Sequence, residues 1–175
     1  MAFLLRKIRR NRLYKEQIEW LPDGELQADP LSDLGTKSNE LSVYHVVKDE
    51  SNLDRIIASL AANSERCDNF DFAIFDENII SELGIKIKKS KGELPDEQVN
   101  NWHSDLCELS ATKLVVLAKA IYDKAKTGRK VPEQVLNLVA DSLINGQIDR
   151  SRVKWAKPED LARLSRSQIR YLSVL

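Results

Sequence analysis

The six residues FDFAIF, positions 70–75, limit the fold more than any other stretch of the chain. Side chains alternate across an extended strand, so Phe70, Phe72 and Ile74 share one face while Ala73 and Phe75 share the other. Both faces are apolar. A strand covered on both sides belongs to a sheet that carries helices. ELSVYHVV (40–47) is rich in β-branched residues and predicts a second strand over 41–47, with Leu41, Val43, His45 and Val47 on one face. IKIKK (85–89) alternates Ile and Lys, the pattern of an edge strand whose outward lysines discourage pairing with another chain.

Between the first two strands, Leu53, Ile56, Ile57, Leu60 and Ala61 recur at helical spacing, and Ser51 with Asp54 suits a helix start. Residues 41–75 therefore read as a βαβ unit with a right-handed parallel crossover. Residues 77–83 predict a turn of helix ended by Gly84. From Pro95 onward the period is helical. Residues 95–109 place Val99, Trp102, His103 and Leu106 on one helix face. A helix over 111–126 is capped by Ser110 and stopped by Gly128, and one over 131–144 ends at Asn145 and Gly146.

The first 15 residues, with Phe3, Leu4, Leu5, Ile8 and Leu13 among the bases, predict a short amphipathic helix. Residues 21–39 carry Pro22, Gly24, Pro30 and Gly35 and predict a loop with at most one helical turn. Leu161, Leu164 and Ser165 are echoed by Ile169, Leu172 and Ser173, so 157–175 reads as two short helices. The expected fold is α/β or α+β. It has a small sheet of about three strands (41–47, 70–75, 85–89) with a βαβ unit, covered by helices, and a helical C-terminal half. Residues 1–92 would be an N-terminal arm plus a small α/β part, and 93–175 a helical part packed on it as one composite domain.

A chain of 175 residues with 42% hydrophobic content supports one proper core. Apolar runs such as LVVLA (114–118) fall far short of the roughly 18 residues of a membrane span. In MAFLLRKIRR the charges follow the apolar residues, the reverse of a signal peptide, so the expected compartment is the cytoplasm. Cys67 and Cys107 lie in no CxxC or Cys/His spacing and are expected to be reduced thiols. Charge is unevenly laid out: six bases and no acid in residues 1–15, 21 acids and eight bases in 16–108, 13 bases and six acids in 109–175.

Four acids stand at the ends of the first two expected strands: Asp49 and Glu50, Asp76 and Glu77. If those strands are parallel neighbours, the four carboxylates meet at the edge where open α/β folds bind ligands, and would suit Mg²⁺. VVKDESNLDRII resembles the first strand, acidic pair and helix of response-regulator receiver domains, and FDFAIFDENII resembles their phosphoacceptor strand. That resemblance implies that Asp49, Glu50 and Asp76 hold metal and accept phosphate. It covers about 35 residues, with one helix between the acidic strands where the family inserts a further strand and helix. No later strand with the family's Thr or Ser and its Lys-Pro follows. The histidines, His45 and His103, fall on faces expected to be partly buried, where hydrogen-bonded structural histidines are common. No catalytic Ser/His/Asp or Cys/His motif and no glycine-rich phosphate loop is present, and no cofactor is implied.

The expected function is accordingly a non-catalytic interaction module that binds a basic protein through an acidic loop, Asp23, Glu25, Asp29, Asp33 and Glu40. Immunity proteins, antitoxins and accessory subunits of bacterial systems are of this type. The alternative is nucleic-acid binding through Arg150, Arg152, Lys154, Arg163, Arg166 and Arg170, interleaved with Trp155 and Tyr171. The third is a metal-dependent or phosphoacceptor site at Asp49, Glu50, Asp76 and Glu77.

Overall fold

The computed structural model describes residues 2–9, 25 and 28–154, with backbone only at 29, 30 and 33. The strands are β1 (Phe3–Ile8), β2 (Leu41–Val46), β3 (Phe70–Asp76), β4 (Lys86–Lys89), β5 (His103–Cys107) and β6 (Lys126–Lys130). The helices are α1 (Ala28–Leu31), α2 (Leu53–Ala62), α3 (Asn78–Glu82), α4 (Glu97–Asn100), α5 (Ala111–Lys124) and α6 (Pro132–Ile144). Short 3₁₀ turns occupy Ser32–Leu34 and Arg150–Arg152. The expected helices over 157–175 lie outside the described residues.

The sheet has six strands in the order β4-β5-β2-β1-β3-β6 and is antiparallel, which overturns the expected small sheet of three with a helical C-terminal half. β1 lies between β2 and β3 and runs antiparallel to both, with Phe3 in register with Val46 on one side and Asp76 on the other. The expected βαβ unit of parallel neighbours is therefore replaced. β2 and β3 point the same way with a third strand between them.

Three corrections share one physical cause, tertiary pairing that outweighs local pattern. Residues 3–8 are not an amphipathic helix: FLLRKI is bonded on both edges, and Leu4 and Leu5 on its opposite faces are both 0% exposed. The expected helix over 95–109 breaks at Asn101, and His103–Cys107 becomes a strand paired with β2 and β4. KTGRK, expected to be helix end and loop, is an outer strand in which Gly128 lies under the Phe72 ring. A Cβ there would stand 2.3 Å from that ring, so only glycine lets the aromatic side chain lie across the strand.

The chain forms two compact units, each assembled from separated segments. The first comprises residues 1–49, 71–90 and 103–129 and holds the sheet with α1, α3 and α5. One sheet face contributes Leu4, Ile8, Leu41, Val43, Ala73, Phe75 and Leu106 to its core, which Ile79 and Ile80 of α3 and Leu117, Ala118 and Ile121 of α5 complete. Ser110 caps α5 by accepting the Lys113 N–H at 3.2 Å. Beyond α3, Gly84 takes φ +60°, and the Ile85 N–H returns to the Ile80 carbonyl at 3.0 Å, closing the helix as a left-handed cap. Asp71, 7% exposed, is held by a two-pronged Arg129 guanidinium at 2.7 and 2.9 Å, which ties β3 to β6.

The second unit comprises residues 50–70, 91–102 and 130–175, of which the described part holds α2, α4 and α6. α2 packs on α6 and buries Ile56, Ile57, Ala61 and Ala62, while α6 buries Val135, Leu136, Val139 and Leu143. Two polar side chains organise the loop before α4. Asp96, 1% exposed, accepts the Gln98 and Val99 N–H groups as N-cap and is gripped by Arg55 at 2.6 and 3.0 Å. Asn100, 0% exposed, accepts the Leu94 N–H at 2.7 Å and donates to the Leu94 carbonyl at 3.0 Å, as a neighbouring strand would.

Candidate functional site

The carboxyl ends of β2 and β3 reach the same end of the sheet, because both are in register with Phe3. With β1 between them the two ends stand about 9.5 Å apart, two strand spacings. Asp76 is used locally, its Oδ1 accepting the Asn78 N–H at 2.9 Å where α3 begins. Glu77 turns to His45, with Oε2 at 3.9 Å from Nδ1. Asp49 is exposed in a turn, and Glu50 adopts φ 57° with its carbonyl accepting the Leu53 N–H at 3.0 Å. Among the described residues no three His, Cys, Asp or Glu side chains are grouped to hold a metal ion.

His45 lies on the same sheet face as Leu4 and Phe75, and its Nε2 is 2.9 Å from the Ser104 Oγ. Ser104, His45 and Glu77 thus follow the order of nucleophile, base and orienting acid. Two features of the geometry argue against that chemistry. Ser104 is 1% exposed, so no substrate reaches its hydroxyl, and 3.9 Å between Glu77 and His45 is too long for a hydrogen bond. The array holds the histidine in the sheet.

His103 lies on the opposite face, beside Tyr44, with the two rings edge to face at 5.1 Å. Its Nδ1 is 2.9 Å from the Ser90 Oγ, and Nε2 is 3.6 Å from Asp105. Asp105 receives Ser90 at 2.5 Å on one oxygen and Ser42 at 3.1 Å on the other. A carboxylate only accepts, so the single Ser90 proton is committed to Asp105 and Nδ1 donates to the hydroxyl oxygen. With the proton directed that way, His103 is not the base for Ser90. The two histidines serve separate networks on separate faces.

Of the acidic loop, Asp23 lies outside the described residues and Glu25 is exposed. Asp29 falls in α1 and Asp33 in the 3₁₀ turn that follows. Glu40 turns inward and accepts the Cys107 thiol at 3.5 Å. Burial, with help from that hydrogen bond, pushes the Cys107 thiol above its ordinary range, so Cys107 is a poor nucleophile.

Of the basic segment, Arg163, Arg166 and Arg170 lie outside the described residues, as do Trp155 and Tyr171. Arg150 and Arg152 form the 3₁₀ turn capped by Asp149, whose carboxyl the Ser151 hydrogen bonds hold below its usual range. Arg152 is engaged by Glu97 at 3.3 Å and by the Glu93 carbonyl at 3.0 Å. The Lys154 side chain is exposed, and its backbone N–H donates to the Ala62 carbonyl at 3.1 Å.

A surface that motif reading passed over lies on α5. Its inward side chains fill the core, yet Val115, Val116 and Tyr122 on the outward stripe are 44, 42 and 47% exposed. Lys119 and Asp123 pair at 3.4 Å within the same stripe. The signal was present in LVVLAKAIY, which has more apolar residues than one buried face of a helix can use.

No family model, no curated protein and no solved structure matches the chain.

Proposed function

We propose that this chain is a protein-interaction module and that the outward stripe of α5 receives an amphipathic helix of its partner. The observation that carries this reading is the exposure of Val115, Val116 and Tyr122 on a helix whose other face already serves the core. Nearly half of each side chain stays in water, and β-branched residues at helix positions cost about 0.5 kcal/mol each relative to Ala, so folding makes only partial use of Val115 and Val116. Their exposed part is open to a partner.

The stripe also specifies the chemistry of its occupant. A helix of 14 residues is about 21 Å long, enough for three or four apolar anchors of a partner helix at i, i+3, i+4 and i+7 spacing. Lys119 is already paired with Asp123 within the stripe, Lys124 with Glu82 and Lys113 with the Gly84 carbonyl beside it, so the partner helix is expected to be selected by its apolar anchors rather than by net charge.

The test uses the double variant Val115→Glu and Val116→Glu, whose sites are exposed, so that the fold survives. The partner recovered from source cells by affinity purification is reconstituted with the purified chain and titrated by calorimetry. The variant is expected to bind at least about 10-fold more weakly, with an unchanged circular dichroism spectrum, as for loss of a central apolar anchor. Equal affinity for wild type and variant removes α5 as the docking surface.

A further inference from the structure

We propose a second recognition surface, independent of α5: the open edge of β4 accepts an extended acidic peptide as an added strand. β4 ends the sheet with β5 as its neighbour, and among the described residues no strand lies on its other side. Every second residue of Lys86–Lys89 therefore turns its N–H and C=O outward, the template on which strand addition is built.

The side chains select what can be added. Lys86 is neutralised by Glu108 at 2.5 Å, and that ion pair holds the Glu108 carboxyl below its ordinary range. Lys88 and Lys89 are exposed and make no ion pair among the described residues. Lys88 is in register with Asp105, the acid that would ordinarily neutralise it across the strands. Asp105 instead accepts from Ser42 and Ser90, and among the described residues no ion pair joins it to Lys88, whose exposed ammonium can reach an outside partner.

Charge also decides between occupants. A second copy pairing edge to edge would set these lysines against their own counterparts, and like charges opposed across strands repel. An acid on one face of an added strand meets Lys88, and an acid on its other face meets Lys89. The same residues thus exclude self-pairing and admit one class of partner.

The test is fluorescence anisotropy of a labelled ten-residue peptide alternating Glu and Val, with an alternating Glu and Pro peptide of equal charge as control. Proline cannot donate to the ladder, so the control keeps the charge and loses the strand. The Glu-Val peptide is expected to bind at least about 10-fold more tightly than the control and to slow amide exchange at residues 86–89. The double variant Lys88→Glu and Lys89→Glu is expected to lose about 10-fold in affinity, and the exposed control Lys48→Glu to lose none. Equal binding of the two peptides, no binding, or indifference to Lys88→Glu and Lys89→Glu overturns the proposal. Tighter binding of a single-stranded DNA oligomer through the same lysines overturns it in favour of a nucleic-acid edge.

Discussion

Tyr44 shows how one buried side chain can weaken the fold at alkaline pH. Burial pushes its hydroxyl from the ordinary 10.0 up to about 12, with Arg6 opposing the rise and Asp105 adding to it. The unfolded chain releases this proton near pH 10, while the folded protein keeps it until about 12. Between those values the unfolded state binds fewer protons, so stability is intact below pH 10 and falls as pH rises through the window. The loss is expected to reach about 2–3 kcal/mol at pH 12. Urea unfolding of wild type and Tyr44→Phe at pH 9, 10 and 11 checks it. The variant, which keeps the ring and lacks the proton, is expected to show a shallower decline, and parallel declines would assign the alkaline loss to other groups.

At the scale of elements, Asn100 decides where a helix stops and a strand can begin. Its amide satisfies both backbone groups of Leu94, which is 4% exposed, so Asn100→Ala leaves a buried N–H and a buried C=O without partners. The expected cost is about 2–4 kcal/mol, read from urea unfolding, with faster exchange of the Leu94 amide as its local signature. An unchanged midpoint would mean that water or a shifted loop replaces the amide. This contact also explains why the sequence misled: Val99, Trp102, His103 and Leu106 fit a helical face, and nothing local reveals that Asn100 is committed to Leu94. Elements whose own pattern suffices were legible. Strands at 41–46, 70–76 and 86–89 and helices at 111–124 and 132–144 stand within two residues of their expected ends. β1, β5 and β6 were not, since FLLRKI, HSDLC and KTGRK lack clean alternation of apolar and polar residues and gain their state from the strands beside them. The acids at the strand ends were equally legible, but their distance apart was not, because it depends on the insertion of β1.

At the scale of the whole molecule, each compact unit is built from three separated segments, and the chain passes between the units five times, at 49/50, 70/71, 90/91, 102/103 and 129/130. Unit membership therefore does not follow sequence order. A fragment of residues 1–92 would carry β4 without β5, the strand that joins it to β2, and would lack β6 and α5. It is expected to remain unfolded or to aggregate, with poorly dispersed amide resonances, since β4 would keep no partner and the core would lose Leu106, Leu117, Ala118 and Ile121. A well-dispersed spectrum of that fragment would show that the first four strands suffice.

The repeated passage of the chain has a consequence for inheritance. A gene exchange that cuts once between codons 50 and 130 separates strands from their neighbours or one helix from the helix it packs on. Such a fold is not divisible into halves that fold apart, so hybrids joined at one point inside that span are expected to lose the cores of both units.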